Sequence, residues 1–440
     1  MTMSNFFLDF RIALRSLFQH RRRTIFLVVA IAGVTGLMVL LTALSTGISE
    51  TMFRTVTTLS SGHINVGGFF KVTASQAAPV VTEYTKVIAV VDKNVPELQH
   101  VVYRGRGWAK IVSDAGSTQA GISGIDINNE PDFKRIVTVL SGRIDDLAQP
   151  NTMLVFESQV ERLKVKVGDA VTLSAQTNRG VANTVDCRIV AIAKDMGILS
   201  KFGVYVPAGT IRALYQLRPD TTGVIQLYLK PRYLADASAI AGRLRKTLEQ
   251  AGYGVRDPEA QPFWVKFQAV NREDWSGQKL DVTTWDEEFS FLTKTLIIVD
   301  GLKFVLLVIL LAIVIIGIMN TMWIAIRERT REIGTLRAIG MQRWGVLRLF
   351  LLESFQLGAI GTIAGALAGA GVATLLNAAK IGLPLTVQLF LMSDKLYLAV
   401  HAGTLVHAAV LITFITTLAA LYPAYRAARL RPVSAMSHFG

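Results

Sequence analysis

The chain of 440 residues has one cysteine, Cys187, which excludes an intrachain disulfide. Its flanks, TVDCRIVAIA, read as a buried strand, so the thiol is expected to fill core. No cysteine stands near the N-terminus to accept a lipid. No G-x-x-x-x-G-K-[ST] loop is present to cradle ATP phosphates, and no G-x-S-x-G turn presents a nucleophilic serine. The six histidines, His20, His63, His100, His401, His407 and His438, are scattered. None forms an H-x-x-x-H pair with a helical carboxylate, so neither metal nor any other cofactor is expected in this chain. Charge is scarce, at 18% of residues, while 51% are apolar.

The scarcity is concentrated in long runs. Phe304–Ile326 and Ser354–Ala379 contain no ionisable residue, and Leu396–Tyr425 contains no Asp, Glu, Lys or Arg. A helix needs about 20 apolar residues to cross a bilayer. Four segments qualify, at residues 25–45, 295–326, 349–378 and 397–425. Carboxylates, which ion-coupled carriers need inside the membrane, are nearly absent from them. Glu353 is the nearest, and its place just after Arg348 suggests an interfacial position. Energy for any work is therefore expected from outside this chain.

What is present is arginine, unevenly placed. The 22-residue bridge RERTREIGTLRAIGMQRWGVLR, residues 327–348, carries six arginines against Glu328 and Glu332. Arg11, Arg15 and Arg21 to Arg23 precede the first span, and Arg426, Arg429 and Arg431 follow the last. Positive residues stay on the cytoplasmic side, so both termini and the bridge are expected inside. The loop 379–396 is expected outside, as is a domain over 46–294. Residues 45–294 hold 29 Lys+Arg and 26 Asp+Glu, so most of the chain's +14 belongs to the spans and their edges. Anionic lipid is the natural counter-charge. Nucleic acid is not an expected partner, because no soluble basic patch is interleaved with aromatics.

The leader is too long, and its apolar run too extended, for a cleaved signal peptide. Residues 1–24 place Phe6, Phe7, Phe10, Leu14, Leu17 and Phe18 at helical spacing, predicting an amphipathic elbow helix on the inner surface. The external domain reads as β-rich. TMLVF, AVTLSA, CRIVAIA, GVYVP and VIQLYL are strand-like runs. Ile240, Leu244 and Leu248 predict a helix ending at Gly252. The order VIQLYL, helix, WVKFQAV suggests strand–helix–strand in a small α/β subdomain. At the domain's ends, Ile48, Met52, Val56 and Leu59, then Phe289, Leu292, Leu296 and Val299, keep a three-to-four spacing. They predict that the first two span helices continue outward as a stalk. Asp300 and Lys303 are expected as interfacial charges.

MNTMWIAIRERTREIGTLRAIGMQRWGVLRLFLLESFQLGAIGTIAGALAG, from Met319, together with the ending YPAYRAARLRPVSAM, resembles the MacB/FtsX-type (type VII) ABC transporter permeases. LKVKVGDAVTLS, CRIVAIA and TTWDEE are similar to the MacB-type periplasmic domain. RTIFLVVAIAGVTGLMVLLTALSTGI with SGHINV resembles the LolC/LolE-like, lipoprotein-releasing branch. The fold so implied is four transmembrane helices with a large external α+β, β-rich periplasmic domain inserted between helices 1 and 2. The resemblance implies that Glu328, Arg329, Glu332, Gly334, Arg337, Ala338 and Gly340 form a coupling helix in 327–348. That helix would seat on separate cytoplasmic ABC ATPase subunits, which bind ATP and magnesium. It also implies a second permease copy, as homodimer or heterodimer, and an inner-membrane location. With 24 residues before the first span, the ATPase is expected as another chain, and the permease is not itself an enzyme. Three functions fit: release of lipoproteins or another hydrophobic cargo, MacB-like extrusion of peptides, toxins or small molecules with a periplasmic adaptor, and FtsX-like signalling to a cell-wall hydrolase. The tail 426–440 is expected in the cytoplasm.

Overall fold

A computed structural model describes residues 3–19, 21–73, 76–177 and 180–429. In chain order α1 (Met3–Gln19) and α2 (Arg21–Leu59) come first. They are followed by β1 (Ile64–Thr73), β2 (Gln76–Ala78), α3 (Tyr84–Asn94), β3 (Leu98–Val112), β4 (Ser117–Ile125), α4 (Pro131–Ile136), β5 (Val139–Gly142) and β6 (Thr152–Phe156). Next are α5 (Glu157–Leu163), β7 (Ala170–Gln176), β8 (Ala182–Ala193), α6 (Gly197–Phe202), β9 (Gly203–Pro207), α7 (Ala208–Tyr215) and β10 (Val224–Leu229). α8 (Ala237–Gln250), β11 (Gly254–Val255), α9 (Phe263–Val270), β12 (Gly277–Thr284) and α10 (Trp285–Glu288) complete this stretch. α11 (Ser290–Glu328), α12 (Thr330–Ala338), α13 (Arg343–Ala378), α14 (Leu385–Leu391) and α15 (Ala402–Ala428) follow.

These elements divide into two compact units, one of residues 1–50, 297–382 and 395–440, the other of residues 51–296 and 383–394. In the first unit α2, α11, α13 and α15 are each long and apolar enough to cross a membrane. α2 and α13 approach at small residues. A Cβ on Gly365 would collide with the Ala32 carbonyl, and one on Gly369 would lie 2.8 Å from the Gly36 oxygen. Such stripes let helix backbones touch where lipid supplies no hydrophobic drive. α13 meets α15 through the Thr362 and Thr413 hydroxyls, 3.0 Å apart. α1 packs on α13, burying Ala13, Ser16 and Leu17, and Gln356 donates to the Phe10 carbonyl at 2.9 Å. Phe18 takes no part in this contact and is 62% exposed. The side chains of Phe6 and Phe7, with His20 and the tail beyond 429, lie outside the described residues.

The second unit carries a twelve-stranded sheet in the order β11-β12-β1-β10-β3-β4-β9-β6-β8-β5. β2 pairs with β1, while β7 pairs with β3 and β8. β3 serves two lobes: residues 98–104 pair with β10, and 105–112 pair with β4. In one lobe α3 and α8 cover the sheet, packing Val87, Val91, Ile240, Leu244 and Leu248 onto Ile64, Ile225 and Leu227. In the other, Ile111, Ile122, Met153, Leu173 and Cys187 form a core closed by Ile211 and Leu214 of α7. Cys187 is buried there, and burial, reinforced by Asp186, pushes its thiol up to about 12.

TMLVF, AVTLSA, CRIVAIA, GVYVP and VIQLYL all lie in strands, and the helix over Ile240–Leu248 is α8. WVKFQAV is not a strand. It falls in α9, entered from Pro262, with Lys266 and Val270 on the buried face. Lys266 Nζ reaches Asp281 of β12 at 2.9 and 3.1 Å, and Val270, one helical turn on, lies buried on the same side. The loop expected over 379–396 is also more than a connection. Residues 383–394 belong to the β-rich unit, where Asp394 pairs with Lys194 at 2.7 Å and Met392 packs over Gly197, whose φ is +73°.

Candidate functional site: the arginine bridge and the helix anchors

The bridge is three pieces rather than one helix over 327–348. α11 runs on to Glu328, α12 spans Thr330–Ala338, and α13 begins at Arg343. Gly340, at φ +107°, adopts the left-handed conformation that ends helices, and Gln342 is the cap of α13 rather than the far end of α12.

The seven residues assigned to coupling part into two groups. Glu328 and Glu332 are exposed, at 53% and 63% of their side chains, and Ala338 and Gly340 are exposed beside them. Arg329, Gly334 and Arg337 turn inward. Gly334 is buried. Arg337 Nη1 donates to the Ala428 carbonyl at 2.7 Å, at the end of α15. A cation there complements the helix dipole. Arg329 is the hub: Nε donates to Glu332 at 3.0 Å, and Nη1 donates to Ser16 at 2.9 Å and to Glu353 at 3.0 Å. Glu353, 4% exposed, also accepts from Ser16 at 3.2 Å and faces Arg23 at 3.6 Å. Arg23 reaches Glu328 at 3.2 Å. One charge network therefore ties α1, α2, α11, α12 and α13 together. Ser16 and Arg23 escape sequence reasoning, and Glu353 is seen there only as an interfacial charge. Leu336, Ile339 and Trp344 project outward, Ile339 80% and Trp344 70% exposed. The bridge thus shows an apolar patch flanked by exposed Arg331, Glu332 and Arg343.

The stalk residues are distributed less uniformly than their spacing suggests. Met52, Val56, Leu59, Phe289 and Leu292 are buried, while Ile48, Leu296 and Val299 are half-buried. Phe289 is not helical. At φ −110° and ψ 39° it separates α10 from α11. Asp300 and Lys303 pair at 2.6 Å, and Ser45 of α2 donates to Asp300 at 2.6 Å.

The end of α2 is held in an unexpected way. The last carbonyls of a helix have no internal partner. Here the sheet supplies donors to the last three carbonyls of α2 and to that of the next residue, Ser60. Tyr228 donates to Thr57 at 2.7 Å, Arg104 Nη2 to Thr58 at 2.8 Å, Arg104 Nη1 and Tyr205 to Leu59 at 2.7 and 2.8 Å, and Gln226 to Ser60 at 2.9 Å. Arg104 and Glu130 form a buried ion pair, with Nε donating to Oε1 at 2.8 Å and Nη2 meeting Oε2. Burial works against the Arg104 charge, but Glu130 outweighs it and holds the guanidinium above its ordinary range.

The entry to α11 is anchored similarly. Thr284 and Glu287 form a capping box, Arg245 pairs with Glu287 at 3.0 Å, and Arg106 pairs with Glu288 at 2.8 Å. Phe53 of α2 meets Trp285 edge to face at 5.2 Å and stacks on His63 at 5.3 Å. His63 accepts the Leu229 amide at Nδ1. Burial first, then neighbouring His100, lowers its pKa to about 4 against a weaker upward pull from Asp132.

Residues 304–432 match the model of the FtsX-like permease C-terminal domain. That match covers α12 and the helices flanking it. Over 97% of the chain and 60% of its own length, the macrolide export ATP-binding/permease protein MacB of Chlorobaculum tepidum is 25% identical. The MacB of Nitrobacter winogradskyi is 40% identical over 28% of this chain and 17% of its own. An uncharacterized ABC transporter permease of Bacillus subtilis, YvrN, is 35% identical over 28% of this chain and 26% of its own. Each match therefore spans less than two thirds of the relative. The periplasmic region of MacB from Actinobacillus actinomycetemcomitans aligns with 52% of this chain and 92% of its own, at 12% identity and TM-score 0.30. The sequence matches support an ABC-type permease of the MacB/FtsX family.

Proposed function

We propose that this chain is the permease subunit of an ATP-driven ABC complex of the inner membrane, working on lipoproteins or another hydrophobic cargo. The observation that carries the proposal is the bridge. Within the family-matched segment, α12 exposes Glu332 beside an apolar patch, while Arg329 ties its base to α1 and α13, and Arg23 of α2 joins Glu353 to Glu328 at the end of α11. A force applied to α12 by a cytoplasmic ATPase then reaches the membrane helices through charged contacts rather than through a slack loop. ATP and magnesium belong to that partner, and a second permease copy completes the membrane unit. α2 and α11 contribute residues to both units, so they are the elements through which the motion leaves the membrane part. Extrusion of small molecules is the second reading, favoured by the macrolide-export names of the MacB relatives.

The test is reversal of Glu332 to lysine, with Trp344→Ala as a second bridge variant. Truncating one partner of a desolvated charge pair costs roughly 2–5 kcal/mol at an interface. Co-purification of the ATPase and its stimulated activity should both fall by at least tenfold, while Gln342→Asn stays near wild type. Arg337 is a poor probe, because reversing it also uncaps α15. Wild-type ATPase binding and stimulation in both bridge variants would refute the proposal.

A further inference from the structure

The β-rich unit contains a cavity of about 480 Å³ between the β3–β4 hairpin, α6 and the α9–α10 segment. Small-molecule sites commonly have volumes of about 300–1,000 Å³ and are mostly apolar, with a few placed polar groups. Its aromatic lining includes Trp108, Phe202, Tyr205, Phe263, Trp264 and Phe291. Three of these are left open at its edge: Trp108 is 53%, Phe202 44% and Phe291 39% exposed. Large apolar groups clustered at a surface opening mark a place where something binds.

The polar content is one ion pair with a spare donor. Arg106 and Glu288 line the cavity, 11% and 4% exposed, with Nη1 to Oε1 at 2.8 Å. Glu288 Oε2 accepts from Thr283 at 3.0 Å, and the guanidinium lies 4.7 Å from the Phe263 ring centre. Arg106 Nη2 is buried and has no hydrogen-bond partner among the described residues. Leaving such a donor unmet is costly; it has almost no accessible surface where it stands, and a small turn of the guanidinium into the cavity that Arg106 lines brings it to an acceptor on a ligand. Glu288 cancels the arginine's charge, which disfavours a carboxylate or phosphate against an uncharged oxygen. Phe291 stands at the start of α11, the helix that goes on to form an apolar span. An apolar chain carrying one uncharged acceptor matches this lining.

We propose that this cavity binds an uncharged acyl amphiphile, its chain among the aromatic rings and its ester or amide carbonyl on Arg106 Nη2. This deepens the cargo reading above by giving an apolar cargo a contact site on the β-rich unit, and it rests on that reading only for its biological role.

The experiment uses the full chain in phospholipid vesicles with a monoacylglycerol carrying a photoreactive diazirine on its chain. Labelled peptides are mapped by mass spectrometry, and labelling of α11 serves as the internal reference. Wild type should be labelled within residues 198–205 and 263–264, and excess unlabelled monoacylglycerol should compete. Ile198→Trp, which fills the cavity, should abolish that labelling. Arg106→Lys keeps the pair with Glu288 and removes the Nη2 donor. It should weaken the monoacylglycerol signal about tenfold and leave that of an alkyl diazirine without a carbonyl unchanged. No labelling at these peptides in wild type, or labelling that neither variant alters, overturns the site. Equal loss of both probes in Arg106→Lys overturns the carbonyl contact. The bridge variants leave this cavity untouched, so failure of ATPase coupling and failure of acyl binding are separable.

Discussion

Replacing Arg104 with glutamine tests whether the end of α2 is clamped to the sheet. The side chain makes four hydrogen-bonding contacts, two to Glu130 and one each to the Thr58 and Leu59 carbonyls. Its loss strands Glu130, 4% exposed, and removing one member of a buried pair costs about 3–5 kcal/mol. Thr58 loses its donor, whereas Leu59 keeps Tyr205. Set against a typical stability of about 5–15 kcal/mol, this is a large fraction. Arg104→Gln should therefore lower the stability of the β-rich unit by about 3–5 kcal/mol. It should also accelerate amide hydrogen exchange at residues 56–61, read by mass spectrometry on the full chain. Tyr228→Phe removes one neutral bond to Thr57 and should cost about 0.5–1.5 kcal/mol. The double variant Arg104→Met/Glu130→Met strands no charge but still leaves Thr58 without its donor. It should be less destabilised than the sum of the singles. If Arg104→Gln and Tyr228→Phe shift stability and exchange equally, no clamp exists and the arginine is only one more hydrogen bond.

Further outcomes follow from particular residues. Gly365→Leu forces α2 and α13 apart at the Ala32 carbonyl and should destabilise the helical unit by about 1–3 kcal/mol or more in a detergent-denaturation assay. Gly371→Ala, with open space at its Cβ, should be neutral or gain up to about 1 kcal/mol of helix propensity. His63, lowered to about 4 from an ordinary 6.5, is neutral in the folded protein across a range where the unfolded chain binds a proton. Stability should thus fall as pH drops from about 6.5 towards 4, by on the order of 2–3 kcal/mol. His63→Gln should flatten denaturant midpoints measured from pH 7 to pH 5, and an unchanged slope would contradict the buried neutral imidazole.

Local chemistry made much of this protein legible in its sequence. Uncharged runs of bilayer length mark the four apolar helices, because a span must exclude charge residue by residue. Short β-branched runs mark the strands, and the spacing of Ile240, Leu244 and Leu248 marks α8, because a periodic apolar face is written within a few turns. The bridge was legible as a charged segment between two apolar runs, and Glu332 lies exposed on it. WVKFQAV was not legible. Apolar at nearly every position, it satisfies a strand as well as a helix, and the choice falls to Lys266 finding Asp281 fifteen residues away. Phe289 carried the stalk spacing yet breaks the helix, since Thr284 and Glu287 cap a separate turn before it.

The inward group of bridge residues, the α2 clamp and the cavity were beyond any local pattern. Arg104 and Glu130 lie 26 residues apart, Tyr205 lies 146 residues from Leu59, and Glu353 stands 337 residues from Ser16. A buried charge declares its role only through its partner, and nothing along the chain says which partner the fold will deliver. The sequence by itself determined which segments leave water and which strands and helices form, because hydrophobic period and charge exclusion act over neighbouring residues. Only the tertiary structure decided which arginine stays exposed, which caps a helix and which is left with a donor to spare. Those outcomes depend on elements far apart in the chain meeting in a low-dielectric interior, where each polar group must be matched.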